Sequence, residues 1–436
     1  MSKKLKIDHL YEKLVDEEDA RVCKAIDEKA CKVVSGNFFL TIISYFFNKL
    51  ADSVANTKVV LPWIMEALNV PLYLISFLVP IRESGSLLPQ LIIAAYIRKQ
   101  AIRKTIWVIG AFGQAFCMIG ISLVAFYLDG LKAGYSILGL LILFSLFRGL
   151  GSVAAKDVVG KTIPKTRRGA LNGWSASAAG VLVVFLGIYF LINGQKPFSS
   201  SNFAVLLSLA GLLWIIAGIV YNRIKEYPGE TEGGGNAAIV AFKKLSILKT
   251  DKNFRLFVIA RALFLCSVLS APFYVILSQK YLDSNSYLLG LFILSSGLAS
   301  LLSAPFWGRF SDISSRKVMI YGASICSILG VFIFLIDNYA NNLLYTLWFM
   351  PFCYFFLSIG YQGLRIGRKT YLLDLAEGNR RTDYVAVSNT LIGIILLFSG
   401  FIGSLNNLFG LSGIILFLSI LGILGILLTY KLPEIE

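Results

Sequence analysis

Two acidic and four basic side chains are predicted to lie inside long apolar segments of the chain, where an ionised group is costly. The acids are Asp52 and Glu83, and the bases nearest them in predicted depth are Lys49, Arg82 and Arg148. A charge at the centre of a bilayer costs roughly 2.5–3.5 kcal/mol on insertion scales, so such residues persist where they are paired or face water. A carboxylate in this setting can take up and release a proton, and an arginine can bind an anion.

Helical spacing groups these charges with neutral polar residues on three helix faces. Asn48, Asp52 and Asn56 of the first apolar segment are four residues apart, which places them on one face. The second and fourth segments show similar spacing, in Arg82, Ser86 and Gln90 and in Ser145, Arg148, Ser152 and Lys156. Three polar faces in one half of the chain predict a shared aqueous cavity. The alternative is a set of structural ion pairs that hold the helices together.

The elements that position these residues are transmembrane helices, because the chain is too apolar for a soluble protein of its size. It has 436 residues, of which 56% are hydrophobic, and a mean hydropathy of +0.72. Each apolar run is long enough to cross a hydrocarbon core of about 30 Å. The runs predict twelve spans, at 38–64, 71–97, 104–128, 135–160, 168–193, 201–224, 254–280, 286–308, 317–337, 342–367, 381–405 and 410–431.

The net charge of +16 is distributed over alternate loops, which argues against nucleic-acid binding. Most basic residues lie in every second loop, and the loops between these contain few basic residues beyond Lys132, Lys196 and Lys280. This asymmetry follows the positive-inside rule and predicts a multi-pass protein of the inner (plasma) membrane with both termini in the cytoplasm. The single histidine, His9, precedes the first span, so we expect no histidine metal site and no cofactor. No cysteine falls in a predicted outside loop, and we expect no structural disulfide.

A constant offset of 213 residues relates the two parts of the chain, since the turn at 95–104 corresponds to the turn at 308–317. At the same offset Lys156 corresponds to Lys369, Arg167–Arg168 to Arg380–Arg381, Ser175 to Ser388, Gly180 to Gly393 and Gly187 to Gly400. An offset that holds for basic loops and helix glycines predicts two structurally equivalent halves. We therefore divide the chain into a cytoplasmic amphipathic segment at 1–37, six-helix bundles at 38–225 and 254–436, and a cytoplasmic linker with a short amphipathic helix at 226–253.

The two turns carry the residues of a known family signature, G-x-L-a-D-R-x-G-R-K. The second turn keeps Gly308, Asp312, Arg316 and Lys317, and the first keeps Arg103 and Lys104. With six plus six spans and a long central loop, the chain resembles the major facilitator superfamily over residues 38–431. The resemblance implies an all-α fold of two pseudo-symmetric six-helix bundles and a secondary transporter that works by alternating access, not an enzyme. It specifies no substrate.

The segment from Arg148 to Ala155 resembles the span-four motif of proton-coupled members of the superfamily, although Gly151 replaces the usual glutamine. We therefore expect Asp52, Glu83 and Arg148 to carry proton coupling, with Arg148 placed by depth to pair with an acid. The sequence does not decide which acid carries the proton. Span five lacks the Gly-Pro motif of drug/proton antiporters, which weakens a drug-export interpretation.

The second half has few charges in its spans, and we interpret it as the half that makes shape-selective contacts. The candidate substrate-binding residues of the whole chain are Asn48, Lys49, Asn56, Arg82, Gln90, Ser152, Arg261, Tyr274, Tyr361, Gln362, Ser388 and Asn389. Basic residues outnumber acids within the spans, which slightly favours an organic anion as the solute. The alternatives are a proton-coupled exporter of drugs or amphipathic metabolites and a pigment- or lipid-handling assembly factor that transports nothing. The expected partners are a small-molecule solute, protons and membrane lipids, and we expect a monomer.

The residues of the two turns, Gly308, Asp312, Arg316, Lys317, Arg103 and Lys104, are predicted to form a conformational latch. An acid at the end of span eight can pair with the basic N-terminus of span eleven and hold the cytoplasmic side shut. We predict that Asp312→Asn slows transport and leaves ligand affinity nearly unchanged, because the latch acts on closure and not on binding. Initial rates in proteoliposomes would measure both quantities, and a weaker affinity at an intact maximal rate would contradict the latch.

Overall fold

The computed structural model describes residues 31–88, 93, 96–97, 99–164, 167–193, 199–229, 231, 244–282, 286–375 and 380–434. Every regular element in these ranges is helical. The helices that form the spans are Val34–Val54 and Val60–Ala67 (span 1), Leu72–Ile75 and Leu78–Leu87 (span 2), Lys104–Tyr127 (span 3), Gly130–Thr162 (span 4), Arg168–Asn193 (span 5), Ser200–Asn222 (span 6), Lys252–Leu263, Cys266–Leu269 and Ala271–Tyr281 (span 7), Ser286–Ile313 (span 8), Ser315–Tyr339 (span 9), Phe349–Leu375 (span 10), Arg380–Ser399 (span 11) and Asn406–Thr429 (span 12).

The predicted all-α membrane fold is confirmed. Eight helical segments of the described chain are long and apolar enough to cross a membrane, and one of them, Tyr384–Thr429, has 46 residues and comprises spans 11 and 12. Spans 1, 2 and 10 are absent from this set. The helices of spans 1 and 2 are interrupted, and span 10 carries several polar residues along its length.

The interruption of span 1 is organised by Asn56. Its side-chain oxygen accepts a hydrogen bond from the backbone N–H of Lys58 at 2.8 Å, and its backbone oxygen accepts from the N–H groups of Val60 at 2.9 Å and Leu61 at 3.0 Å. These bonds satisfy backbone donors that a broken helix would otherwise leave without partners. Lys58 lies within this break, between the two helices of span 1.

Spans 8 and 10 end later than the sequence predicts. The helix of span 8 continues to Ile313 instead of ending near residue 308, because the chain turns at Ser314, whose hydroxyl caps span 9 by accepting from the N–H of Lys317 at 3.3 Å. Span 10 begins at Phe349 after a 3₁₀ turn at Asn341–Tyr345 and extends to Leu375, whereas we predicted 342–367. The basic residues predicted to start a loop after span 10 therefore lie on a helix.

One glycine–leucine contact between the two halves occurs twice. A Cβ on Gly180 of span 5 would lie 2.7 Å from Leu301 of span 8, and a Cβ on Gly393 of span 11 would lie 2.8 Å from Leu88 of span 2. Both residues of the first contact are related to those of the second by the 213-residue offset. Glycine at both positions leaves room for the leucine side chain of the other half, so the repeat in the sequence corresponds to a repeat in the packing.

The halves are joined at one end of the bundle and separated at the other. At the joined end the hydroxyl of Ser76 donates to the backbone oxygen of Gly400 at 2.6 Å. Toward the other end, where the basic turns lie, a Cβ on Gly173 or Gly308 would meet nothing within 4 Å, and the Leu302 side chain is 65% exposed. The contacts between the halves named here therefore lie away from the basic turns.

Parts of the predicted domain division lie outside the described residues. These are residues 1–30 of the N-terminal segment and residues 230 and 232–243 of the linker, including the start of its predicted amphipathic helix. The described end of the linker forms a 3₁₀ turn at Lys244–Ser246 and a short helix at Ile247–Thr250.

The expectation of no disulfide is wrong at Cys31, which is disulfide-bonded.

We predict that Gly290→Ala lowers stability whereas Gly308→Ala, in the same helix, does not. A Cβ on Gly290 would lie 2.7 Å from the Cβ of Phe190 and 3.0 Å from the backbone oxygen of Gly187, and such overpacking costs roughly 1–3 kcal/mol. The same substitution at Gly308 meets open space and gains about 0.5–1 kcal/mol of helix propensity. Thermal unfolding in detergent measures the difference, and equal melting temperatures would show that spans 5 and 8 are not in close contact here.

Candidate functional site

One carboxylate, Asp52 of span 1, binds two arginines at the centre of the first half. Nη2 of Arg82 lies 2.8 Å from Oδ1 of Asp52, and Nη1 of Arg148 donates to the same oxygen. The Asp52 side chain is 17% exposed, and those of Arg82 and Arg148 are 13% and 31% exposed. The pairing of Arg148 with an acid, which we predicted from depth, is confirmed, and the triad retains one uncompensated positive charge.

Close packing of spans 1, 2, 4 and 6 brings these three side chains together. A Cβ on Gly85 of span 2 would lie 2.5 Å from the Cβ of Ser145, so glycine permits spans 2 and 4 to approach beside Arg82 and Arg148. Span 1 is fixed to span 6 by Asn48, whose side-chain oxygen accepts from Nε1 of Trp214 at 3.0 Å. Asn48 therefore holds a helix in place in this structure.

Glu83, the second acid, lies where the two halves meet. The positive charges of Lys58, Arg82, Arg368 and Arg148 all act on it, and Arg368 belongs to the second half. Lys58 also crosses to the second half, because its ammonium lies 3.8 Å from the centroid of the Tyr361 ring. Glu83 is thus surrounded by cations from both halves.

The second half contains a buried arginine without a carboxylate partner among the described residues. Arg261 is 8% exposed. Its Nη1 donates to the hydroxyl of Ser388 at 2.6 Å and its Nη2 to the side-chain oxygen of Asn389 at 2.9 Å, while its buried Nε has no hydrogen-bond partner. Neutral oxygens orient this guanidinium but leave its charge uncompensated, which suits it to an anion.

Span 10 presents a cationic stripe that the sequence analysis missed. Tyr361, Arg365, Arg368 and Lys369 are spaced at three- and four-residue intervals, so they share one face of the helix. The predicted end of span 10 at residue 367 puts Arg365 near the inner end of the span and Arg368 and Lys369 in the following loop. The spacing itself was the available signal, and it requires a helix that continues to Leu375. The second half therefore carries more charge between the halves than we expected, and its role in shape-selective contacts stays a prediction.

The electrostatic contacts link these groups into one cluster, which we call the cavity network. Arg365 acts on Lys49, Arg368 on Arg261, and Lys156 on Lys369. The network contains two acids and nine cations, namely Asp52, Glu83, Lys49, Lys58, Arg82, Arg148, Lys156, Arg261, Arg365, Arg368 and Lys369. Its positive excess is the main electrostatic property of the space between the halves.

Several other predicted binding residues make contacts within one half. The ammonium of Lys49 donates to the backbone oxygen of Asn172 at 2.9 Å and to the hydroxyl of Ser175 at 2.8 Å. Nε2 of Gln362 donates to the hydroxyl of Ser300 at 3.1 Å. Asn56 caps the break in span 1, Ser152 is half-buried one turn after Arg148, and Gln90 lies outside the described residues.

Tyr274 is not brought into the space between the halves. Its side chain is fully buried and faces a small internal cavity lined by residues of spans 7, 9 and 12, which include Ser267, Ser270, Ser327 and Ser419. The interruption of span 7 between Leu263 and Ala271 turns this residue inward. The expectation that Tyr274 contacts a solute is therefore not supported by its position.

Each basic turn is held by an acid from the end of its own half. In the first half Glu226 accepts from the backbone N–H groups of Arg103 and Lys104 at 2.7–3.0 Å and pairs with Lys161 at 2.9 Å. In the second half the corresponding partners of Arg316 and Lys317 are the two oxygens of Glu434, at 3.1 and 3.5 Å. A hydrogen bond from Ser314, with these two cations, holds the pKa of Glu434 below its ordinary value. The sequence analysis missed both acids, which lie far from the turns in sequence.

The remaining latch residues make no link between the halves in the described part of the chain. Asp312 is exposed, and the side chains of its predicted partners Arg380 and Arg381 lie outside the described residues. Gly308 lies inside the helix of span 8. The latch role of all six residues remains a prediction.

Comparison with known proteins agrees with this architecture. The sequence profile described as Major Facilitator Superfamily matches residues 273–436. Over these residues the chain is similar to the major facilitator superfamily. An uncharacterized MFS-type transporter of Methanocaldococcus jannaschii is 24% identical over 278 residues, which are 61% of this chain and 65% of that protein, so the chain spans about two thirds of the length of this curated relative.

Solved structures of the superfamily share the fold at low sequence identity. A POT family transporter in complex with 5-aminolevulinic acid superposes with a TM-score of 0.69 at 14% identity, over 90% of this chain and 94% of that one. A D-xylose–proton symporter superposes with a TM-score of 0.67 at 14% identity, over 93% and 98%. The family and the neighbours are transporters and not enzymes, as the sequence predicts, and they leave the subfamily open.

We predict that Glu226→Gln destabilises the protein far more than Glu434→Gln. The Glu226 side chain is fully buried, and removing its charge weakens the helix cap and leaves Lys161 without its partner, at a cost of roughly 2–4 kcal/mol. Glu434 is exposed to solvent, where an ion pair contributes little. Melting temperatures of the two variants in detergent test this, and a larger loss for Glu434→Gln would show that the two turns are not held in the way described.

Proposed function

We propose that this protein is a secondary transporter that moves a small organic anion across the inner (plasma) membrane by alternating access, with proton coupling. The observation that supports the anion preference most directly is the cavity network, in which nine cations face two acids. Charges in a membrane are retained where they have a partner or a task. The two acids of the cavity network are too few to neutralise its nine cations, and a bound anion would supply the missing negative charge.

The shape of the bundle supports alternating access. The halves are in contact at one end through Ser76 and Gly400 and are apart at the other, where Leu302 is exposed. With the basic turns on the cytoplasmic side, this is an inward-facing state. Rocking of the halves about the repeated glycine–leucine contacts would close this end and open the other.

The geometry of the triad supports coupling to protons at Asp52. While Asp52 is ionised, it holds both Arg82 and Arg148 on one oxygen. Protonation removes that negative charge and leaves two guanidinium groups free to bind a carboxylate or phosphate. A proton and an anion would then enter the site together, and loss of either would restore the ion pairs. Glu83 carries the second proton-binding group in this proposal, at the boundary with the second half.

One observation favours the alternative of an exporter of drugs or amphipathic metabolites. A groove of about 410 Å³ lies between spans 2, 4 and 11 and is lined by Ile81, Ser84, Gly85, Leu88, Ile142, Leu146 and Leu397. This volume is within the range of pockets that hold small ligands. Its exposed residues, such as Ile142 and Leu397, would face the acyl chains of the bilayer, from which an apolar compound could enter.

A ligand-stabilisation screen distinguishes the two functions. Purified protein is heated with organic phosphates, dicarboxylates or lipophilic cations, and a ligand at about 100 times its dissociation constant adds roughly 2.7 kcal/mol to the free energy of unfolding. We expect anions to raise the melting temperature, Arg148→Gln to abolish the effect, and the control Lys132→Gln, on the same helix but near its other end, to retain it. Stabilisation by lipophilic cations that depends on Asp52 or Glu83 would instead establish the exporter.

A further inference from the structure

Four cations of the cavity network lie near its open end and form no ion pair within 4 Å of a carboxylate among the described residues, although the charge of Glu83 acts on one of them, Arg368. They are Lys156 of span 4 and Arg365, Arg368 and Lys369 of span 10. Lys156 and Lys369, which correspond to each other at the 213-residue offset, each lie six residues before the end of their helix, at Thr162 and Leu375. Six residues of helix are about 9 Å, so the two ammonium groups come from the same level of opposite halves.

These two lysines are close enough for their charges to interact. The positive charges of Arg365, Lys156 and Arg368 all act on Lys369. Lys156 and Lys369 are both exposed, as expected for side chains that extend into the opening. Asp157, which follows Lys156 in sequence, is paired with Arg103 at 3.2 Å. Like charges from the two halves therefore oppose each other where the halves must meet on closure.

We propose that Lys156, Arg365, Arg368 and Lys369 form a second anion-binding site, built by both halves at the mouth of the cavity, for a doubly charged oxyanion such as a phosphate monoester or dicarboxylate. This inference rests on the proposed function and extends it, because the central site at Arg82 and Arg148 lies deeper in the membrane. Arginine offers paired donors to such a group, and the lysines add charge from either side.

A site divided between two moving halves links occupancy to closure. Without an anion, closing brings Lys156 toward three cations of span 10, and the repulsion favours the open state. A bound oxyanion attracts both sides and favours the closed state, since a ligand shifts a conformational equilibrium by its difference in affinity for the two states. A carrier of this kind returns through its cycle only with an anion bound, so it would exchange anions in preference to moving them one way.

The experiment measures the separation of the halves at the open end. Spin labels are attached at I102C and I313C, exposed positions in the two basic turns, and distances are recorded by electron resonance in chloride or inorganic phosphate at equal ionic strength. We expect phosphate to shift the protein toward shorter distances. Each of Lys156→Gln and Lys369→Gln should raise the phosphate concentration needed by about tenfold, as for loss of one charge-assisted hydrogen bond. Lys132→Gln should respond as the unsubstituted protein does.

Two results would overturn this site. One is a distance distribution that is the same in chloride and phosphate, and the other is a response of the Lys156→Gln/Lys369→Gln protein at the original phosphate concentration. If anions still stabilise the protein through Arg148 in the melting screen, only the proposal of a second anion-binding site is overturned. If no anion stabilises the protein, the proposed transport of anions fails as well.

Discussion

The attachment of two arginines to one carboxylate oxygen is the constraint on which the first half depends. Asp52, Arg82 and Arg148 come from three helices, and each would be costly in the bilayer without the others. Their meeting requires spans 2 and 4 to approach at Gly85 and span 1 to be held against span 6 by Asn48 and Trp214. The same interaction leaves one positive charge over within the triad.

The scaffold is repeated in the two halves, but its charges are not. At the 213-residue offset Asp52 corresponds to Leu265, Asn48 to Arg261 and Arg148 to Tyr361. The first half therefore contains an acid paired with two arginines, whereas the buried Arg261 of the second half is held by the neutral oxygens of Ser388 and Asn389. Equivalent folds thus carry different arrangements of charge.

The sequence predicted the features that follow from helical period and repetition, and missed those that depend on where helices end. The polar face of span 1, the two equivalent halves and the pairing of Arg148 with an acid could be read from spacing and depth. The cationic face of span 10 could not, because arginines and lysines near a membrane surface fit a loop as well as a helix end. The roles of Glu226 and Glu434 depend on folding that brings the last residues of each half back to its basic turn.

The repeated seam between the halves has a consequence for how such a chain could be assembled. Gly180 meets Leu301 and Gly393 meets Leu88, so the surface of each half contributes the same glycine and the same leucine, and receives the same two in return. This is the reciprocal arrangement of an isologous interface, in which one patch pairs with a rotated copy of itself. The two halves of this one polypeptide thus contact each other as the subunits of a twofold homodimer do. The linker that joins the halves takes no part in these glycine–leucine contacts.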